Sequence, residues 1–121
     1  MVSLYVDSAA LEIKLAPIER TLAMHRAPVR ISRSQIAKVQ LTDDPFTWLR
    51  GVRAPGSHVP NRLAFGTWRS VFGDDFVAIR SGRPAVVIDL EEGAGFQRVI
   101  LSTTHGADLV NALQPGADPE A

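Results

Sequence analysis

Three arginines, Arg50, Arg53 and Arg62, lie in or beside a stretch of the chain that is rich in glycine and proline. A guanidinium fork matches the geometry of a carboxylate or a phosphate. Turns at Gly51 and Gly56 could also aim backbone N–H groups at an anion. These residues predict a local site for an anion or an acidic partner. In a structural alternative, the arginines pair with aspartates and the glycines only make turns.

Two more side chains of this stretch could take part in binding. Trp48 is a tryptophan beside arginines in an irregular segment, which is the composition of an interaction hot spot. His58 could act as a general base with the neighbouring Ser57, but adjacent residues seldom face each other and no third group orients the imidazole. We therefore add Trp48 and His58 to Arg50, Arg53 and Arg62 as a candidate binding site, and assign no catalytic residue.

Residues that hold metals are few in this chain and poorly spaced. It contains no cysteine, and its three histidines, at positions 25, 58 and 105, are far apart. Adjacent carboxylates occur at Asp43-Asp44, Asp74-Asp75 and Glu91-Glu92. Acidic residues favour turns at such positions, and the spacing is not that of a calcium loop. We expect no metal site and no cofactor.

The overall charge excludes some classes of partner. Thirteen basic residues balance thirteen acidic ones, so no net field attracts nucleic acid or an anionic membrane. Without cysteine there is no disulfide framework. The apolar runs are too short to span a bilayer, and the N-terminus has no signal-peptide pattern. We expect a cytoplasmic protein with no nucleic-acid partner and no transmembrane segment.

The elements that position the candidate site are strands. Apolar and polar residues alternate in seven extended stretches, and Val86, Ile88 and Leu90 show the clearest period of two. Residues 17–25 predict a short helix after the first strand, because Pro17 suits a first helical turn. Leu109 and Val110 belong to the apolar stripe of a C-terminal helix. Residues 46–62 have no periodicity and predict a long loop, which is typically functional or mobile.

Seven strands followed by a helix predict a mainly β domain. We expect a seven-stranded antiparallel, partly open barrel over residues 9–114, with the C-terminal helix closing one end. We expect residues 1–8 to form an N-terminal extension and residues 115–121 a flexible tail.

This architecture resembles the pleckstrin-homology (PH) superfold, and in particular the bacterial PH-like domains. Four segments are similar to small, largely uncharacterised actinobacterial proteins: Pro17-Ile18-Glu19-Arg20, residues 49–56 (LRGVRAPG), Gly66-Thr67-Trp68 and residues 76–80 (FVAIR). The resemblance covers residues 9–113 and implies a PH-like barrel. It does not imply inositol-phosphate binding, because the basic loop of phosphoinositide-binding relatives is represented here only by Arg20, His25 and Arg26.

The sequence favours a non-catalytic binding or assembly module. It would engage a protein partner or itself, as a homo-oligomer, through residues 46–62 or an exposed sheet edge. One alternative is a carrier of a small, lipid-like apolar ligand, since Trp48, Trp68 and three phenylalanines could line a pocket as well as fill a core. Another is an enzyme near the 46–62 stretch, which needs titratable groups to converge, such as His58 with Asp43 or Asp75.

Overall fold

The computed structural model describes residues 3–6, 10–18, 29–59, 62–91, 95–103 and 106–113. The strands are β1 (Ser3–Val6), β2 (Ala10–Lys14), β3 (Val29–Ser32), β4 (Ile36–Thr42), β5 (Val52–Val59), β6 (Leu63–Ser70), β7 (Gly73–Arg80), β8 (Ala85–Leu90) and β9 (Arg98–Ser102), followed by the helix α1 (Gly106–Leu113). Two short 3-10 helices, Arg33–Gln35 and Pro45–Trp48, precede β4 and β5. The predicted mainly β class is confirmed.

The nine described strands form two separate sheets. One has the order β1-β2-β3, and the other has the order β4-β8-β9-β7-β6-β5. Every pair is antiparallel except β7 and β9, which run parallel with Phe76 opposite Val99. The structure therefore differs from the expected seven antiparallel strands in its strand number and in this parallel pair. Neither sheet closes on itself. The strand β1 falls within residues 1–8, for which the sequence predicts only an extension.

Residues 81–84 join β7 to β8, but these two strands are not a hairpin. The strand β9 lies between them and pairs with both. The Arg80 N–H donates to the Ser102 hydroxyl over 2.9 Å, and the Thr103 N–H donates to the Pro84 carbonyl over 3.3 Å. These bonds fasten the connection across the end of β9. Gly82, with φ of +74°, lets the chain turn here, but which strands this turn connects depends on β9, about 20 residues further along the chain.

The six-stranded sheet has an inner face, which packs against the three-stranded sheet and α1. Leu11, Ile13 and Leu15 are buried there, as the alternation predicts, while Lys14 is exposed. From α1, Leu109 joins the same cluster. Fully burying an aliphatic or phenyl side chain contributes about 1.5–3 kcal/mol, so this cluster provides much of the stabilisation.

The outer face of the same sheet carries a second apolar cluster. Ile79, Val87 and Ile100 are completely buried there. The three strands that supply them are thus buried on both faces, which explains their nearly continuous apolar sequence. The cover on this side is a short stretch of chain that includes Phe46 and Trp48.

The prediction of a long loop over residues 46–62 is wrong. The 3-10 helix and β5 occupy most of it, and β5 pairs with β6. A register shift between Arg53 and Gly56 breaks the two-residue period that identifies a strand in the sequence. Pro55 is tolerated because an edge strand need not use every N–H. At Gly56, with φ of +145°, a Cβ would lie 2.2 Å from the Phe65 carbonyl oxygen, so glycine permits the close approach of β5 to β6.

The predicted short helix after the first strand is described only at its beginning. Pro17 and Ile18 are helical, and residues 19–28 lie outside the described residues, as does the predicted tail 115–121. Among the helices that the structure describes, none combines the length and apolar character needed to cross a bilayer.

Candidate functional site

Residues 43–51, called here the crossing segment, connect the end of β4 to the start of β5 over the outer face. Pro45 is buried and opens the 3-10 helix, a position where its missing N–H costs nothing. The Trp48 Nε1–H donates to the Thr42 hydroxyl over 3.0 Å, and the Asp44 N–H donates to the same oxygen over 3.1 Å. Apolar contacts of Phe46, Trp48 and Leu49 with the outer-face cluster complete the attachment.

Arg50, further along the crossing segment, forms a two-pronged ion pair with Asp75 of β7. Its Nε lies 2.7 Å from Asp75 Oδ2, and its Nη2 lies 3.0 Å from Oδ1. The Asp75 side chain is only 1% exposed. A buried carboxylate requires such a partner, because breaking a buried pair by removing one member typically costs 3–5 kcal/mol.

The hydrogen bond to Asp75 raises the pKa of Arg50 above its ordinary value. Partial burial acts in the opposite direction, and the charges of Asp75 and Asp89 raise the pKa further. A base with a raised pKa holds its proton more tightly in the folded state. The Arg50–Asp75 pair therefore stabilises the fold fully at any pH below the ordinary pKa of arginine. This stabilisation is lost only as the pH rises through the raised pKa that Arg50 has in the folded state. Arg50 stays a cation in the working range and cannot shuttle a proton.

The ion pair belongs to a row of alternating charges across the centre of the sheet, called here the charge row. Asp75 on β7 lies opposite Arg98 on β9, which lies opposite Asp89 on β8. Arg98 Nε approaches Asp89 Oδ1 to 2.7 Å, and its guanidinium carbon lies 5.2 Å from the centre of the Trp48 ring. With Arg50, the row contains two cations and two anions. Its charges satisfy one another, and they fasten the crossing segment to β7 through Arg50 and to β9 through the contact of Arg98 with Trp48.

The five residues of the candidate binding site do not converge. Trp48 and Arg50 reach the charge row. His58 lies half-buried on β5, with its ring edge-on to Trp68 at 5.6 Å, and Arg62 is exposed beside it, just before β6. The backbone of Arg53 pairs with Trp68, and its side chain lies outside the described part of the structure.

Three members of the charge row, Asp75, Asp89 and Arg98, are absent from the predicted site. Asp74-Asp75 was predicted to form a turn, but both residues are in β7. The available signal is the period of two within each strand: Asp75, Asp89 and the cation Arg98 each lie two residues from a buried aliphatic of the outer-face cluster and so point to the same face. Charges of opposite sign in phase with buried aliphatics indicate an ion pair on a covered face.

No group of three metal-binding side chains occurs among the residues that the structure describes. His25 and His105 lie outside them.

The turn between β6 and β7 exposes two apolar side chains. Val71 is 96% exposed and Phe72 is 62% exposed; together they are called here the apolar turn. Two-residue hairpin turns normally contain asparagine, aspartate or glycine, whose backbone preferences suit them. The Arg50 guanidinium carbon lies 4.7 Å from the centre of the Phe72 ring, so the charge row also supports this turn.

A pocket of about 210 Å³, called here the far-end pocket, opens at the opposite end of β7. Residues 43–46 and 80–83 line it. Pro45 and Phe46 are its apolar members, and Asp43 and Asp44 are exposed at its rim. Arg80 stacks over the buried ring of Phe65 at 5.0 Å.

Comparisons with family models, curated protein sequences and solved structures find no match to this chain. The function is therefore argued from the geometry of the charge row, the apolar turn and the far-end pocket.

Proposed function

We propose that this chain is a non-catalytic binding or assembly module, which engages a protein partner or a second copy of itself. The apolar turn is the observation that carries the proposal. The charged side chains of the outer face are engaged with one another, whereas Val71 and Phe72 project into solvent where a turn favours polar residues.

The support under the apolar turn favours binding. Phe72 rests on Arg50, and Asp75 holds Arg50 with two hydrogen bonds. A side chain that is already held in place loses less conformational entropy when it binds. Buried aromatic and arginine anchors also dominate the energetics of protein interfaces.

The edges of the six-stranded sheet, β4 and β5, offer a weaker surface for strand addition. The strand β5 contains Pro55 and a register shift, and β4 carries the exposed Lys38. These features discourage pairing with another chain. We therefore assign binding to the apolar turn rather than to either of these edges.

The relationship to bacterial PH-like domains and a cytoplasmic location are parts of the same proposal. A mainly β domain whose C-terminal helix packs on β4 and β8 supports the first. The composition without cysteine supports the second.

The two other functions have less support. For an enzyme, His58 and Asp75 would have to act together, but the His58 ring packs edge-on against Trp68 and both Asp75 oxygens contact Arg50. For a ligand carrier, an internal cavity would be needed, and the two apolar clusters are built from side chains that pack on one another.

Photo-crosslinking tests the proposal. Val71 is replaced by p-benzoylphenylalanine, and the labelled chain is irradiated both alone and in an extract of its source cells. We expect a discrete adduct that excess unlabelled wild-type chain suppresses and that the V71N/F72G variant does not. The control carries the label at Ser34, which is exposed and polar. If the label at position 71 gives no more specific an adduct than the label at position 34, the proposal is contradicted.

A further inference from the structure

We infer that β1 of one copy pairs with β1 of a second copy, so that two three-stranded sheets join into one sheet across a two-fold axis. This inference goes beyond the proposed binding function, since it assigns a second surface that does not include the apolar turn. The occupant of that surface is the same strand of another copy of this chain.

The strand β1 lies at one end of the three-stranded sheet. One of its edges pairs with β2, from Ser3 opposite Lys14 to Val6 opposite Leu11. Among the described elements, no strand pairs with its other edge. Tyr5 is 58% exposed and Val6 is 36% exposed. The backbone N–H and C=O groups along such an edge offer a template for a further strand.

The other three edges of the described sheets carry features that discourage pairing. Arg30 is exposed on β3, Lys38 lies at a register shift in β4, and Pro55 lies within a register shift in β5. The sequence of β1, Ser-Leu-Tyr-Val, contains no charge and no proline, and its pairing with β2 is regular. Of the described edges, β1 is therefore the least protected against strand addition.

A second copy of β1 fits this edge by symmetry. Two identical antiparallel strands in one sheet are related by a two-fold axis perpendicular to the sheet, so each face continues into the same face of the other copy. Placing Tyr5 opposite Tyr5 of the second copy meets this condition, and Val6 then lies opposite Leu4. A register shifted by one residue would break the symmetry and bring Tyr5 to the buried face.

The residues on both faces suit this register. On β2, the neighbours of Leu4 and Val6 are Ile13 and Leu11, and both are completely buried. The inner apolar layer therefore continues from one copy into the next. On the opposite face the two Tyr5 residues become direct cross-strand neighbours, and aromatic pairs of this kind stabilise a sheet. The pairing buries no charge of β1, because the strand has none.

The contact is small and closed. A four-residue strand with Tyr5 and Val6 covers much less than the roughly 800 Å² per partner of a stable interface, so we expect weak, concentration-dependent association. Each copy uses the same edge to meet the other, and such a contact is satisfied in a dimer. Larger assemblies should not form through it.

Sedimentation equilibrium on the full chain tests the inference, from about 10 µM to about 1 mM, a range suited to a weak interface. The wild-type average mass should rise from 13.1 kDa towards that of a dimer and no further. Y5K and Y5E should each stay monomeric, because like charges then lie opposite each other, whereas their equimolar mixture should associate. Both should fold, since Tyr5 is mostly exposed. A wild-type chain that stays monomeric, or a Y5K variant that associates as the wild type does, would overturn the inference.

Disulfide crosslinking tests the register. The chain has no cysteine, so Y5C and the matched control V6C each carry a single thiol. Directly opposed Cα atoms lie about 4.5–5.5 Å apart, which a disulfide can span. The two copies of position 6 would be roughly 8 Å apart, which it cannot span. With copper phenanthroline as oxidant, Y5C should form a linked dimer at least about tenfold faster than V6C. Equal rates would contradict the inference.

The V71N/F72G variant distinguishes this inference from the proposed function. It should fold, because Asn-Gly suits a two-residue hairpin turn, and it should dimerise as the wild type does. If it stays monomeric while the wild type dimerises, association runs through the apolar turn, so the proposed function stands and this inference fails. If Y5C forms the linked dimer while labels at position 71 give no specific adduct, this inference stands and binding through the apolar turn does not.

Discussion

The two faces of the six-stranded sheet are covered in different ways. On the inner face, a second sheet and α1 bury an apolar cluster that includes Phe65 and Phe76. On the outer face, the crossing segment contributes three apolar side chains, and the charge row runs beside them. Apolar burial stabilises a contact but does not fix its orientation, because the hydrophobic effect is non-directional. A segment of nine residues buries too little area to be positioned in this way, so the directional ion pair of Arg50 with Asp75 and the contact of Arg98 with Trp48 hold it in register.

The largest expected effect comes from the inner face. Phe76→Ala should lower the free energy of unfolding by about 3–5 kcal/mol, because it removes a fully buried ring and leaves a cavity. Chemical denaturation followed by circular dichroism measures the change. Phe72→Ala is the matched control, since this ring is mostly exposed, and should cost less than about 1 kcal/mol. Equal losses of stability in the two variants would contradict the view that Phe76 stabilises the fold and Phe72 does not.

On the outer face, Arg50→Met leaves the buried Asp75 carboxylate without its cation. We expect a loss of about 3 kcal/mol in the free energy of unfolding. The double variant R50M/D75L removes both charges, and it should recover most of this loss because apolar groups of similar size replace the pair. A double variant as unstable as R50M would contradict an electrostatic role for the pair.

Trp48→Phe tests the attachment of the crossing segment. It removes the hydrogen bond to Thr42 and weakens the stacking against Arg98. A cost of about 1–2 kcal/mol is expected, together with faster hydrogen exchange of the Thr47 and Leu49 amides. Unchanged exchange would show that apolar contact alone holds the segment.

The smallest effect is expected at the apolar turn. V71N/F72G should leave the free energy of unfolding within about 1 kcal/mol of the wild type, since better turn geometry offsets the lost contact of Phe72 with Arg50. The midpoint of thermal unfolding measures this. A large loss would mean that the two side chains serve the fold rather than binding.

The inner face was largely predictable from the sequence, and the outer face was not. Alternation identified Leu11, Ile13, Val86 and Ile88 as facing one core, because each pattern lies within a few residues. The strand β5 was missed because a bulge and Pro55 disrupt its period. Asp75 was mistaken for a turn residue, since the turn falls three residues earlier, at Val71 and Phe72, side chains that seldom occupy turns.

The candidate site, too, was predictable from the sequence only in part. Trp48 and Arg50 were singled out by residue type. Arg50 belongs to the charge row, and Trp48 contacts its member Arg98. Their partners Asp75, Asp89 and Arg98 could not be identified, because 25 residues separate Arg50 from Asp75 and the pairing depends on strand order.

The amino-acid sequence by itself determined the β class, the buried side of most strands and the C-terminal helix, since the period of apolar residues is set between close neighbours. Only the tertiary structure decided that β9 inserts between β7 and β8. That insertion places Arg98 between Asp75 and Asp89. The reason is physical: strand order and register come from contacts between distant residues, and several strands of similar apolar pattern could have satisfied the same local preferences.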